Sequence, residues 1–153
     1  MAEGESRWCG SKRCGVCKSV VCSKEFKGKY KDSMYKIRGE KLDCNSCNIV
    51  YLVSCKTCSQ QYVGSTTTKF RLRYNNYLSC YRRYNLKKTV PQMSFHSHFA
   101  QPCHNGMLDW EFQLIEQVND PLLLRKRESY WQYELSTFFP DGLNERDVTF
   151  EVG

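Results

Sequence analysis

Cys44-Asn45-Ser46-Cys47-Asn48-Ile49-Val50-Tyr51-Leu52-Val53-Ser54-Cys55-Lys56-Thr57-Cys58-Ser59-Gln60-Gln61-Tyr62-Val63-Gly64 is the stretch on which the fold turns. Ile49 to Val53 is a short run of β-branched, aliphatic and aromatic residues, the composition of a buried strand. Gln61-Tyr62-Val63-Gly64 is a second, shorter strand candidate. Cys55-Lys56-Thr57-Cys58 falls in the turn between them, so Tyr51 and Tyr62 can face each other on adjacent strands.

Downstream the period changes. Phe70, Tyr74, Tyr77, Tyr81 and Tyr84 recur at spacings of four and three, one aromatic stripe along a helix, with an N-cap expected from residues 65–68. Residues 87–107 read as an irregular connection holding His96, His98 and His104, a length that calls for a reason inside a compact domain. Trp110 to Ile115 alternates as a third strand. Asp120-Pro121 opens a second helix, with Asp as N-cap and Pro at the first position. It is expected over 122–137, before the turn signal Pro140-Asp141-Gly142. Three strands and two helices predict an α+β fold.

Upstream, residues 1–47 contain six cysteines and eleven basic residues but few large aliphatics. Such a segment cannot build a core alone and needs a staple. The expected organisation is therefore a Cys-rich basic extension over 1–47 and a globular domain over 48–153. At 153 residues and 18.0 kDa the chain has room for one ordinary core. Its 41% hydrophobic and 25% charged composition excludes wholesale disorder. No run is long and apolar enough for a membrane helix. The opening residues lack the apolar centre of a signal peptide, so a reducing intracellular compartment is expected and the ten cysteines favour zinc over disulfides.

The net charge is +7, and it is unevenly spread. No acidic residue occurs between Asp43 and Asp109, whereas Lys56, Lys69, Arg71, Arg73, Arg82, Arg83, Lys87 and Lys88 do. A one-signed stretch of this length suits a phosphate-bearing partner, nucleic acid above all.

Several residues could carry chemistry. Leu124, Glu128, Trp131 and Leu135 share one helix face. A carboxylate within an apolar stripe is costly to bury unless it pairs with a base, reaches water or binds a cation such as Mg²⁺ or Mn²⁺. Arg73 and Tyr77 are helix neighbours. Arg73 suits a bidentate grip on phosphate or a snorkelling surface position, and Tyr77 suits core packing or a site. Cys55 and Cys58 with His98 and His104 compose a Cys2His2 zinc set, with His96 and Cys103 as competing donors. Cys14, Cys17, Cys44 and Cys47 compose a second set, in which Cys9 and Cys22 could substitute. Cys80, inside the first helix, reads as a packed thiol.

In order, Ile49-Val50-Tyr51, Tyr62-Val63-Gly64, Arg73 with Tyr77, Glu128 and Asn144 resemble the motifs of the GIY-YIG endonuclease superfamily. The resemblance covers about residues 48–146. It is closest to the endonuclease domain of Penelope-like retroelements, whose zinc cysteines lie between the two tyrosine motifs, as Cys55 and Cys58 do here. His98 and His104 resemble the rest of that Cys-Cys-His-His set. Arg127-Glu128-Ser129-Tyr130-Trp131 and Pro140 to Asn144 resemble its closing helix and loop. The first glycine of the name motif is replaced by Ile49, and Tyr77 stands where many homing members carry His.

The resemblance implies a small three-stranded sheet flanked by helices and a hydrolase that cuts a DNA phosphodiester with one divalent cation, Mg²⁺ or Mn²⁺, on Glu128. Tyr51 would orient or deprotonate water, Arg73 would hold the scissile phosphate, Tyr62 and Tyr77 would brace phosphate and water, and Asn144 would fix substrate or backbone. It further implies a nuclear location, structural Zn²⁺ and a reverse-transcriptase domain of the same element as a partner. A catalytically inactive, zinc-stabilised DNA-binding module of the same fold is the alternative.

Overall fold

The computed structural model describes residues 4–87, 98 and 109–145. Its centre is an antiparallel three-stranded sheet in the order β6-β5-β7. The strands are β5 (Ile49–Cys55), β6 (Gln61–Thr66) and β7 (Trp110–Gln117). Helix α1 (Phe70–Lys87) follows β6, and α2 (Pro121–Glu134) follows β7. This is the expected α+β arrangement of sheet and two helices.

β5 is the middle strand, and helices cover both of its faces, so six of its seven residues are buried. On one face, Tyr51, Phe70, Tyr74, Tyr77 and Phe112 form an aromatic layer with ring centroids 5.4–6.4 Å apart. On the other face α2 packs through Leu124 and Trp131. The β5–β7 register shifts between Val50 and Tyr51, where Ile115 is the extra residue.

Asp120 caps α2 as expected, its carboxylate accepting from the backbone N–H groups of Leu122 and Leu123. The helix ends at Glu134, three residues short of the expected 137. Ser136 adopts φ 54°, and the N–H groups of Ser136 and Thr137 bond the carbonyls of Tyr133 and Gln132. That is a Schellman stop built on serine, invisible to a search for glycine. The N-cap expected from residues 65–68 is also replaced. Ser65 and Thr66 belong to β6, and the N–H groups of Phe70 and Arg71 bond the carbonyls of Ser46 and Cys44.

Residues of 1–47 share the core of 48–153 instead of standing apart. Four two-residue strands, β1 (Glu5–Ser6), β2 (Glu25–Phe26), β3 (Tyr35–Lys36) and β4 (Lys41–Leu42), pair as β1-β4 and β2-β3. Val20 and Arg38 bridge to Phe112 and Glu116 of β7. Phe26 packs on Trp131, their ring centroids 5.0 Å apart, and Tyr35 donates to Glu134. Few apolar residues suffice in the extension because Val16, Val20, Phe26, Ile37 and Leu42 are buried in one cluster with the larger core.

Candidate functional site

The candidate site forms where β6, α1 and α2 meet. Tyr51 projects from β5 onto the α1 face and pairs in register with Gly64. Its hydroxyl lies 2.5 Å from that of Tyr77, which also hydrogen-bonds Tyr62. Three phenols from two strands and a helix thus form one chain of hydroxyls. The glycine makes this possible: a Cβ on Gly64 would sit 2.6 Å from the Tyr51 hydroxyl oxygen.

Arg73 comes from α1 and Glu128 from α2, on opposite sides of the sheet, yet the charges of both act on Tyr51 and Tyr62. The structure thus brings Tyr51, Tyr62, Tyr77, Arg73 and Glu128 to one locality. Burial pushes all three phenols above their ordinary value of 10, so none ionises readily at neutral pH. A neutral tyrosine chain can orient and relay but is a poor base.

Burial also raises the Glu128 carboxyl, opposed by the hydroxyl and backbone N–H of Ser65 and by Arg73 and Arg125. Ser65 escaped the sequence reading because only the fold places β6 against this turn of α2, whereas Arg125, three residues before Glu128 on the same helix, was a local neighbour that the reading passed over. The buried ion pair that the sequence could have assigned to Glu128 is instead Arg127 with Glu116. The Arg127 Nε lies 3.0 and 2.9 Å from the two Glu116 carboxylate oxygens, and Trp131 donates to Oε1 at 2.9 Å. Neighbouring residues of one helix therefore divide the work: Arg127 neutralises the interior acid, and Glu128 keeps a desolvated carboxylate. A cation with oxygen-donor preference fits that group, since it would offset the burial cost.

A pH dependence follows. The folded chain holds the Glu128 proton more tightly than the unfolded chain, whose value is near 4.5. Stability is therefore lost as pH rises from that value through the raised one, and the loss persists at neutral pH. Glu128→Gln is expected to raise the melting temperature at neutral pH and to leave it unchanged in strong acid. An equal gain at both would show that the charge is not the source.

Asn144 has no polar atom to spare. Its Oδ1 accepts from the Val63 N–H at 2.8 Å and the Thr137 hydroxyl at 2.6 Å, and its Nδ2 donates to the Val63 carbonyl at 2.9 Å. It clamps the 140–144 turn to the edge of β6. Of the two roles that the resemblance implied, the backbone one is what its contacts serve.

Among the described residues, two clusters could hold a metal. The thiols of Cys9, Cys14, Cys17 and Cys44 gather with all ligand atoms within 4.8 Å of one another. Cys9 takes the position expected of Cys47, and Cys22 is exposed. The reason is the turn between Asp43 and Ser46, closed by the Ser46 N–H on the Asp43 carbonyl at 3.0 Å. It leaves Cys44 facing the extension while Cys47 leads into β5, its carbonyl taken by Gln117.

Burial opposes ionisation of Cys14. The N–H groups of Cys17 and Val16 and the thiols of Cys17 and Cys44 outweigh it, lowering the group to about 6. Burial raises Cys44 to about 11 and raises Cys17 as well. The Arg71 guanidinium donates to the Cys14 and Cys44 sulfurs at 3.8 Å, a fixed positive charge beside a thiolate set. Three buried cysteines and the half-buried Cys9, with such a neighbour, could hold a structural zinc.

The second cluster is Cys55, Cys58 and His98, with Cys58 Sγ 3.3 Å from His98 Nε2. The expected fourth ligand, His104, lies outside the described residues, as do the competing donors His96 and Cys103. No described helix is long and apolar enough to cross a membrane. Comparison with known proteins returned no matching family model, no matching curated protein and no matching solved structure.

Proposed function

We propose that this chain is a divalent-metal-dependent DNA endonuclease of GIY-YIG type, related to the endonuclease domain of Penelope-like retroelements. The observation that carries the reading is the convergence of Arg73 and Glu128, from helices on opposite sheet faces, upon a hydrogen-bonded tyrosine chain. Arg73 grips the scissile phosphate and offsets charge gained in the transition state. Tyr51, Tyr77 and Tyr62 align the attacking water and pass hydrogen bonds along their hydroxyls. Glu128 would hold Mg²⁺ or Mn²⁺, which when bound would supply Lewis-acid chemistry beside the phosphate. Asn144 acts at one remove by fixing the β6 edge.

Structural zinc is proposed at Cys9, Cys14, Cys17 and Cys44, and at Cys55, Cys58 and His98 with His104. DNA is the partner, joined by a reverse-transcriptase domain of the same element, and the nucleus is the working compartment. The elevated phenols favour a second reading, a zinc-stabilised DNA-binding module without catalysis.

Nicking of supercoiled plasmid separates the two. The nuclease reading expects Mg²⁺- or Mn²⁺-dependent nicking by the wild type and a loss of at least about a hundredfold in Arg73→Ala, with a comparable loss in Glu128→Ala. Both variants should keep the wild-type circular dichroism spectrum. A wild type that binds DNA yet never cuts it, and binds equally well as Glu128→Ala, establishes the binding module instead.

A further inference from the structure

A cavity lies on the sheet face opposite the tyrosine chain, lined by Gln61 beside Tyr62 on β6. It encloses about 370 Å³ between residues 27–29 of the extension and the β5–β6 turn. Lys27, Lys29 and Lys56, all exposed, are among its lining residues, with Glu111 the one acidic residue among them; the Lys29 ammonium lies 5.5 Å from the centroid of the Tyr30 ring. None of the three lysines takes part in a salt bridge described for this chain. Ser54, Ser59 and Gln61 add polar groups beside Cys55 and Gly28, and no aromatic ring lines the cavity, which suits phosphate oxygens better than a stacked nucleobase.

The wall is held in place. Gln61 is buried, and its Oε1 accepts from the Lys29 N–H at 3.0 Å. Its Nε2 donates to the Lys27 carbonyl and to Ser54 Oγ, both at 3.2 Å. Gly28 presses on Leu135 so closely that a Cβ would meet Leu135 Cδ2 at 3.0 Å. A buried glutamine on β6 thereby fixes a lysine-bearing loop from an otherwise remote part of the chain.

We infer that this cavity is a second phosphate site, which seats a backbone phosphodiester of DNA and makes the N-terminal extension part of the nucleic-acid interface. The inference rests on the DNA partner named above but not on cutting. Gln61 directly precedes Tyr62 on β6, with the two side chains on opposite sheet faces. Tyr30, next to Lys29, bonds the Asp141 carbonyl in the turn that leads to Asn144. The cavity therefore adjoins the candidate catalytic edge, and a strand held there can continue into it. Lysine heads on flexible stems suit a contact that ignores base sequence.

The test is binding of a labelled DNA duplex by the full chain, read by fluorescence anisotropy across a potassium chloride series without Mg²⁺ or Mn²⁺. Lys27→Gln/Lys29→Gln/Lys56→Gln is compared with Lys24→Gln/Lys36→Gln/Lys41→Gln, which removes the same charge from exposed positions outside the cavity. Loss of one phosphate contact lowers the slope of log affinity against log salt by about 0.9. The cavity variant should show that drop and bind about tenfold more weakly on every duplex sequence, and the control variant should lose clearly less. Equal losses in the two variants overturn the inference, as does polyglutamate binding the cavity as tightly as DNA of equal charge. Lys56→Gln alone, on the opposite wall, provides the reading if the triple variant melts early. A wild type that binds through the cavity but never nicks plasmid leaves this inference standing and removes the nuclease.

Discussion

Gly64→Ala is expected to destabilise the chain by about 3 kcal/mol, at the upper end of overpacking costs, and to lower the melting temperature by roughly 6–12 °C. The added methyl carbon would lie 2.6 Å from the Tyr51 hydroxyl oxygen and 2.7 Å from Cζ. Tyr51 cannot yield: it is 1% exposed, edge-packed by Phe70 and Tyr77, and hydrogen-bonded to Tyr77. Either the β5–β6 pair opens or the phenol leaves the hydroxyl chain, so activity should fall together with stability. In a Tyr51→Leu background the obstruction is gone, and Gly64→Ala should cost far less. Urea unfolding of the four proteins gives the coupling energy directly. If the alanine costs the same in both backgrounds, the glycine serves some purpose other than the approach of Tyr51.

The second large effect concerns the four-cysteine cluster. Cys9→Ser is expected to remove one zinc per chain and to melt the extension, whereas Cys47→Ser should keep full zinc and near wild-type stability. Structural zinc in zinc-finger peptides is worth about 10–16 kcal/mol of apparent binding energy. Whole-domain stability is typically only about 5–15 kcal/mol, so losing the metal should unfold at least residues 1–47. The damage should also reach the site. The first amides of α1 bond the Ser46 and Cys44 carbonyls, and Arg71 donates to two of the cluster's sulfurs. Arg73 lies two residues further along the same helix, so a cluster without metal leaves the residue proposed to grip phosphate without its anchor. Metal analysis with circular dichroism reads the result. Zinc lost from Cys47→Ser and retained in Cys9→Ser would reverse the assignment.

Local pattern and tertiary geometry contributed different parts of this picture. Strand periodicities over 49–53, 61–64 and 110–115, and the existence though not the end of the helix expected over 122–137, were legible because each reflects which side of an element meets apolar neighbours, a property of nearest residues. The Asp120-Pro121 start of α2 was legible for the same reason: a cap is made within its own turn. Glu128 and Arg73 stood out as polar groups beside apolar stripes, although sequence alone left their partners open.

What the sequence by itself determined is the three long strands and two helices, the run of basic residues without an acid, and the types of donor available. Only the tertiary structure decided which donors meet. Cys9 displaces Cys47 because a turn at 43–46 divides two cysteines that are close in sequence. Asn144 is spent on the Val63 backbone because the 140–144 turn lies along an unpaired sheet edge. Arg127 and not Glu128 closes the interior ion pair, because Glu116 emerges from β7 beneath it. Each of these outcomes depends on contacts between residues far apart in the chain, and hydrogen-bond or ligand geometry across such distances is set by packing, which no local spacing encodes.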